Sequence, residues 1–207
     1  MRKQWFVFDI GNVLITLDYD RTLARVERES RAKGEDLVRI FSRSLADFER
    51  GKVGFGEVHD FLRDRAGYTG GLRQLREIWN GLLAKPVDGI DELLARVREN
   101  YRVAFLSNCN EVHEEEIASR FRSFFQDEER IVYSHRCGAS KPERQIYQKM
   151  LELLGARSSD VIFIDDLLEN VRAARSAGIE AYQFESVPQM IELLEQKGVL
   201  QKQDLRI

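Results

Sequence analysis

VIFIDD, residues 161–166, sets four apolar residues directly before two acids. A short, unalternating apolar run suits a parallel strand buried on both faces. The same pattern recurs at WFVF, residues 5–8, which runs into Asp9, and at VAFL, residues 103–106, which runs into Ser107. IEAYQF, about 179–184, reads as a fourth strand and IVYS, 131–134, as a weaker fifth. Segments of helical period lie between them. Residues 88–99 place Ile90, Leu93, Leu94 and Val97 on one face, and 142–154 do the same with Ile146, Tyr147, Met150, Leu151 and Leu154. A third helix, 167–177, runs into Gly178. Alternating strands and helices predict an α/β fold, a doubly wound, Rossmann-like parallel sheet.

Residues 17–85 break this rhythm. They show several helical patterns punctuated by glycines such as Gly51, Gly54 and Gly56, and no convincing strand before Pro86. The expected organisation is a core of residues 1–16 and 86–207 with an all-helical insert, 17–85, after the first strand. Placed beside the ends of the strands, that insert is positioned as a lid.

In an open parallel sheet the residues just past the carboxyl ends of the strands face one crevice, where ligands bind. Asp9, Ser107 and Asp165–Asp166 all hold that position, and Ser140–Lys141–Pro142–Glu143 opens the helix of 142–154. Each piece alone has a plain structural reading. Asp9 can cap the next element, Ser107 can cap a helix, Lys141 can be a solvated surface residue, and paired acids suit a helix N-terminus. Together they assemble three carboxylates, a hydroxyl and an ammonium group. Three carboxylates so close either rise in pKa or are neutralised by a divalent cation. One of the paired acids could ligate the metal while the other works through water or faces Lys141. Asn170, a helical turn beyond Asp166, could orient it. Ser107–Asn108 before a helix offers a hydroxyl and free backbone N–H groups to an anion. Gly11 lets the backbone turn sharply near a ligand. Proline at the first helical position would make Lys141 project from the helix start. A hard cation, a lysine and a free carboxylate suggest phosphate chemistry.

The chain has 207 residues, 43% hydrophobic, with a formal net charge of −3, so nothing draws it towards nucleic acid or acidic membrane. Its apolar runs fall far short of the roughly 20 residues that span a bilayer, and Asp9 breaks the N-terminal one too early for a signal peptide. With no secretion signal, Cys109 and Cys137 read as reduced thiols of a cytoplasmic protein. His59, His113 and His135 lack metal-ligand spacing and read as structural. Arg21, Arg25, Arg28 and Arg31, interleaved with Glu27 and Glu29, read as a salt-bridged surface face. Trp5 and Trp79 read as core.

FVFDIGNVL at 6–14, LSN at 106–108, SKPE at 140–143 and FIDDLLEN at 163–170 resemble the four motifs of the haloacid dehalogenase superfamily, and the insert resembles its helical cap. FDIGNV, FERGKVG at 48–54 and KPERQIY at 141–147 are most similar to bacterial sugar-phosphate phosphatases of the alpha-D-glucose-1-phosphate phosphatase type. The resemblance implies a Mg²⁺-dependent phosphatase acting on a small phosphorylated metabolite. Asp9 would be the nucleophile and form an aspartyl phosphate. Asp9, the Gly11 carbonyl and Asp166 would bind Mg²⁺, with Asp165 in or next to the outer shell. Ser107, Asn108 and Lys141 would hold the phosphoryl oxygens.

One departure stands out. Superfamily phosphatases usually carry a second Asp two residues after the nucleophile as general acid and base, and here that position is Gly11. Asp18 and Asp20, near the start of the insert, are candidates to replace it. The alternatives are a catalytically impaired phosphate- or partner-binding protein, for which Gly11 speaks, and a 2-haloacid dehalogenase, which the adjacent acids disfavour.

Overall fold

A computed structural model describes residues 5–127 and 129–201. In chain order the elements are β1 (Trp5–Phe8), β2 (Ile15–Leu17), α1 (Tyr19–Arg28), α2 (Gly34–Phe48), α3 (Phe55–Ala66), α4 (Leu72–Asn80), β3 (Leu83–Pro86), α5 (Ile90–Arg98), β4 (Arg102–Ser107), α6 (Glu111–Arg120), β5 (Arg130–Tyr133), α7 (Ser134–Cys137), α8 (Arg144–Leu154), β6 (Val161–Asp165), α9 (Leu168–Ser176), β7 (Glu180–Gln183) and α10 (Val187–Gln196). Five strands form a parallel sheet in the order β5-β4-β1-β6-β7. β1 is fully buried at its centre because both its faces are covered. Phe6 and Phe8 point into a cluster with Ile90, Leu94 and Met190 from α5 and α10. Val7 points the other way, against Ile146, Met150 and Val171 from α8 and α9.

The chain leaves β1 towards β4 and β5, then crosses back to β6 on the other side of β1. That reversal makes the β1–β6 boundary the switch point of the sheet. The register pairs Phe8 with Ile164, which sets Asp9 beside Asp165 at this point.

The insert is less purely helical than its sequence suggests. β2 and β3 pair antiparallel and frame the four helices α1–α4. ITL and LAKP are too short to show a period of two, and LAKP ends in proline, so only their mutual pairing makes them strands. The helices close on their own core, in which Trp79 is 1% exposed and its ring meets those of Phe41, Phe48 and Phe55 at 5.0–5.8 Å. Trp5 is buried in the sheet core, as expected.

Two local expectations need correction. Pro142 is not the first helical residue. α8 starts at Arg144, Glu143 is its extended N-cap, and Lys141–Pro142 lie in a turn joined by a cis peptide bond. Nor does Gly11 make the sharp turn after β1, since its φ lies outside the left-handed region. Asn12 makes it, at φ 52°. Asparagine tolerates that conformation because its short amide can bond locally.

Candidate active site

Asp9, Asp165 and Asp166 present carboxylate oxygens within 4.8 Å of one another at the switch point. Each is held differently. Asp9 accepts the Ile10 N–H on Oδ1 at 2.7 Å, and the same oxygen faces Lys141 Nζ at 2.7 Å. Its Oδ2 has no hydrogen-bond partner among the described residues. Asp165, fully buried, accepts Lys141 Nζ on Oδ2 at 2.7 Å and, on Oδ1, the Leu167 N–H and Asn170 Nδ2, each at 2.9 Å. Asp166 is half-buried and accepts Asn12 Nδ2 on Oδ2 at 3.1 Å.

Lys141 does not project from a helix start, since α8 begins three residues later, and its side chain is 1% exposed. Asn108 clamps its backbone, with Nδ2 donating to the Lys141 carbonyl at 2.9 Å and Oδ1 accepting the Lys141 N–H at 2.8 Å. The ammonium then reaches Asp9, Asp165 and the Leu106 carbonyl at 3.1 Å. An ammonium has three donors, so all of them are engaged.

The electrostatics follow from this crowding. Burial drives the Asp9 carboxyl up to about 7, Lys141 pulling it down and Asp165 pushing it further up. Asp166 is raised by burial against the opposing hydrogen bond from Asn12. Burial lowers the Lys141 pKa, but the two carboxylates outweigh it and hold the group above its ordinary value. Three acids and one lysine leave an excess of two negative charges when all are ionised. An all-oxygen donor set with that excess fits a hard divalent cation such as Mg²⁺.

Ser107 ends β4 beside this cluster, buried, with its hydroxyl towards the Asn108 carbonyl at 3.4 Å. The helix that follows it, α6, begins at Glu111, and Ser107 is not its cap. Asn110 caps α6 by accepting the His113 N–H at 3.0 Å. Asn170 orients Asp165 rather than Asp166, because the chain bends between β6 and α9 and the first helical turn closes over the strand end. Asp18 caps α1 by accepting the Arg21 N–H at 3.0 Å, and Asp20 is exposed. Neither lines the cavity described next.

That cavity, about 40 Å³, lies between the helical insert and the core. Gly11, Leu17, Tyr19, Glu49, Ser107 and Asn108 are on its wall. A buried water needs roughly 10–15 Å³, so the space admits a few waters. Cys109 also borders it, buried, its thiol pushed up by desolvation. His113 is structural. Its Nε2 donates to the Trp79 carbonyl at 3.0 Å and Nδ1 faces the Asn110 amide at 3.2 Å, and burial holds it down at about 4.

Sequence reasoning missed Asn12, whose amide spans the Leu17 N–H at 3.0 Å and Asp166, and Glu49, which comes from the insert. Asn12 was findable as an asparagine after glycine at a strand end. Glu49 carried no signal beyond its place in FERGKVG.

Comparison with known proteins identifies the family and the fold. The family model for a haloacid dehalogenase-like hydrolase matches residues 3–178. A D-ribitol-5-phosphate phosphatase from Bacteroides thetaiotaomicron is 23% identical over 188 residues, 87% of this chain and 91% of that protein. A HAD family enzyme from the same organism, crystallised with magnesium and inorganic phosphate, superposes with a TM-score of 0.75 at 24% identity, covering 89% of this chain and 96% of that one. A predicted HAD-like hydrolase from Porphyromonas gingivalis gives 0.81 at 24% identity, over 98% and 100% of the two chains. These likenesses are likenesses of fold; in this chain the acidic cluster and the buried lysine sit at the switch point of that fold. The chain belongs to the haloacid dehalogenase-like hydrolases.

Proposed function

We propose that this hydrolase is a Mg²⁺-dependent phosphatase that releases phosphate from a small phosphorylated metabolite, a sugar or polyol phosphate. The observation that carries the reading is the convergence of Asp9, Asp165 and Asp166 around one lysine at the switch point. Phosphatase activity among its relatives supports the class of reaction. The division into a core of 1–16 and 86–207 and a cap of 17–85 belongs to the same reading.

Asp9 is the nucleophile. Its Oδ1 is committed to the Ile10 amide and Lys141, which aims the carboxylate and leaves Oδ2 available. Oδ2 attacks phosphorus in line with the departing oxygen, and water later hydrolyses the aspartyl phosphate. Asp9, Asp166 and the Gly11 carbonyl would hold Mg²⁺, with Asp165 at its margin. Bound there, the ion supplies positive charge against the acids and the phosphoryl oxygens. Asp165 is spent on Lys141, Asn170 and Leu167, so Asp166 is the more available ligand of the pair. The Ser107 hydroxyl and backbone N–H groups near Asn108 receive phosphoryl oxygens. The Asn108 side chain is already committed to Lys141. Lys141 contributes charge at short range.

The cap closes the site. A sugar phosphate does not fit the present cavity, so the cap must open to admit one and close behind it. No helix among the described residues is long and apolar enough to cross a membrane.

The test is phosphate release from a panel of sugar and polyol monophosphates with Mg²⁺, against an Asp9→Asn control and an EDTA control. Turnover that needs both Asp9 and Mg²⁺ supports the reading. Tight phosphate binding without turnover would favour a binding module that Gly11 has left without an acid. Chloride release from a 2-haloacid in EDTA would favour a dehalogenase.

A further inference from the structure

Asp9 has no carboxyl two residues on, because Gly11 stands there. An alkoxide leaving group still needs a proton, and the wall of the cavity beside Gly11, Ser107 and Asn108 holds the nearest candidates on the insert side of the site. Four titratable side chains reach that wall: Tyr19, Glu49, Cys109 and His113. His113 has both ring nitrogens engaged and loses its proton too readily, at about 4. Tyr19 is 45% exposed, yet desolvation of its hydroxyl, with Glu49, Asp9 and Asp166 adding to the effect, pushes it up to about 12, and burial pushes the Cys109 thiol up as well, so neither yields a proton easily. Glu49 remains.

Its setting suits the task. Glu49 is the residue after α2, and its N–H donates to the Leu45 carbonyl at 2.8 Å. Its own carbonyl accepts the Ser134 hydroxyl, at 2.5 Å, from the core. The next residue, Arg50, reaches Glu143 with Nε at 3.0 Å, in the same loop as Lys141. The Glu49–Arg50 backbone is therefore fastened to the core at two points, through Ser134 and Glu143. Its carboxyl makes no hydrogen bond or ion pair among the described residues, and it shares the wall with Gly11 and Ser107.

We propose that Glu49 is the general acid and base of this hydrolase, delivered by the cap in place of the carboxyl absent at position 11. This rests on the phosphatase reading. In the first step Asp9 Oδ2 bonds to phosphorus, the P–O ester bond breaks, and the leaving oxygen takes the Glu49 carboxyl proton. In the second, the Glu49 carboxylate takes a proton from water, the water oxygen bonds to phosphorus, and the P–O bond to Asp9 breaks. Glu49 ends protonated, as it began. Burial drives its carboxyl up to about 7, against the pull of Lys141 and Arg50, so both forms are accessible near neutrality. Cap opening would withdraw the acid, so proton delivery is coupled to closure over substrate.

The experiment compares wild type, Glu49→Gln and Glu49→Asp, all with Mg²⁺. Single-turnover rates are measured on the best polyol or sugar phosphate of the panel and on p-nitrophenyl phosphate, whose phenolate leaves without a proton. Glu49→Gln should lose about 10²–10⁴-fold on the alkyl ester and less than about 10-fold on the aryl ester. It should also lose the alkaline fall in rate, bind Mg²⁺ as wild type does, and regain part of its rate as Glu49→Asp. Equal losses on the two esters, no loss, or an alkaline limb that persists would overturn the assignment. If Glu49→Gln does not fold, wild type decides: rates that fall steeply as the leaving-group pKa rises would show that no acid operates. A wild type that releases phosphate from neither ester overturns the phosphatase reading and this one with it.

Discussion

Lys141 Nζ lies 2.7 Å from Asp9 Oδ1, with 1% of the lysine side chain exposed. The same nitrogen is bonded to Asp165 and the Leu106 carbonyl, so none of its three protons is spare. Its work in this state is to keep two carboxylates close together and aimed, ahead of any contact with substrate.

Lys141→Met should therefore damage folding as well as activity. Removing one partner from buried charges leaves the rest uncompensated, at a cost of about 3–5 kcal/mol. Urea denaturation without Mg²⁺ should show a loss of that order, and added Mg²⁺ should recover more stability in the variant than in wild type. A loss below about 1 kcal/mol, the range of surface ion pairs, would contradict this account.

Asp9 should give the metal-free protein a distinctive dependence on pH. Its carboxyl is raised from 3.8 to about 7, chiefly by burial. The folded state thus binds this proton more tightly than the unfolded state does. The stabilisation is complete below about 3.8 and is lost as pH rises through about 7. Asp9→Asn escapes that loss, so its stability relative to wild type should increase across this window. His113 works the other way. Its pKa is lowered from 6.5 to about 4, so its contribution is present above 6.5 and lost as pH falls through about 4. Both proteins contain it, so it cancels in the difference. Thermal or urea melts of the pair at several pH values, without Mg²⁺, provide the check, and a constant difference would refute it.

Asn12 combines a backbone role with a side-chain role, and two substitutions separate them. At φ 52° a residue with a Cβ is strained by about 1–2 kcal/mol. Asn12→Ala should suffer that strain in addition to losing both amide hydrogen bonds. Asn12→Gly should lose only the bonds, and so be the more stable variant. Both should bind Mg²⁺ more weakly than wild type, because Asp166 loses the amide that orients it. Denaturation curves and calorimetric Mg²⁺ titration measure the two effects. Equal stability of the two variants would show that the backbone position is relaxed.

The sheet was legible in the chain because its evidence is local. WFVF, VAFL and VIFI are apolar without alternation, which parallel strands covered on both faces require. Asp9, Ser107 and Asp165–Asp166 follow such runs, so their convergence came from the topology rule alone. The roles of the pieces were less legible. Lys141 belonged to the crevice set, but its burial and the grip of Asn108 on its backbone carried no local signal, and Asn170 stands one turn from Asp166 yet bonds to Asp165.

Amino-acid order alone determined an α/β core, an inserted helical unit and an acidic crevice, because strand burial and helical period are written residue by residue. Tertiary structure alone decided the β2–β3 pair, the burial of Lys141 between two carboxylates, and the placing of Glu49 on one cavity wall with Gly11. Each of these depends on a partner far away in the chain. A contact of that kind has no local period or cap to announce it, and its energy exists only when both sides have folded together.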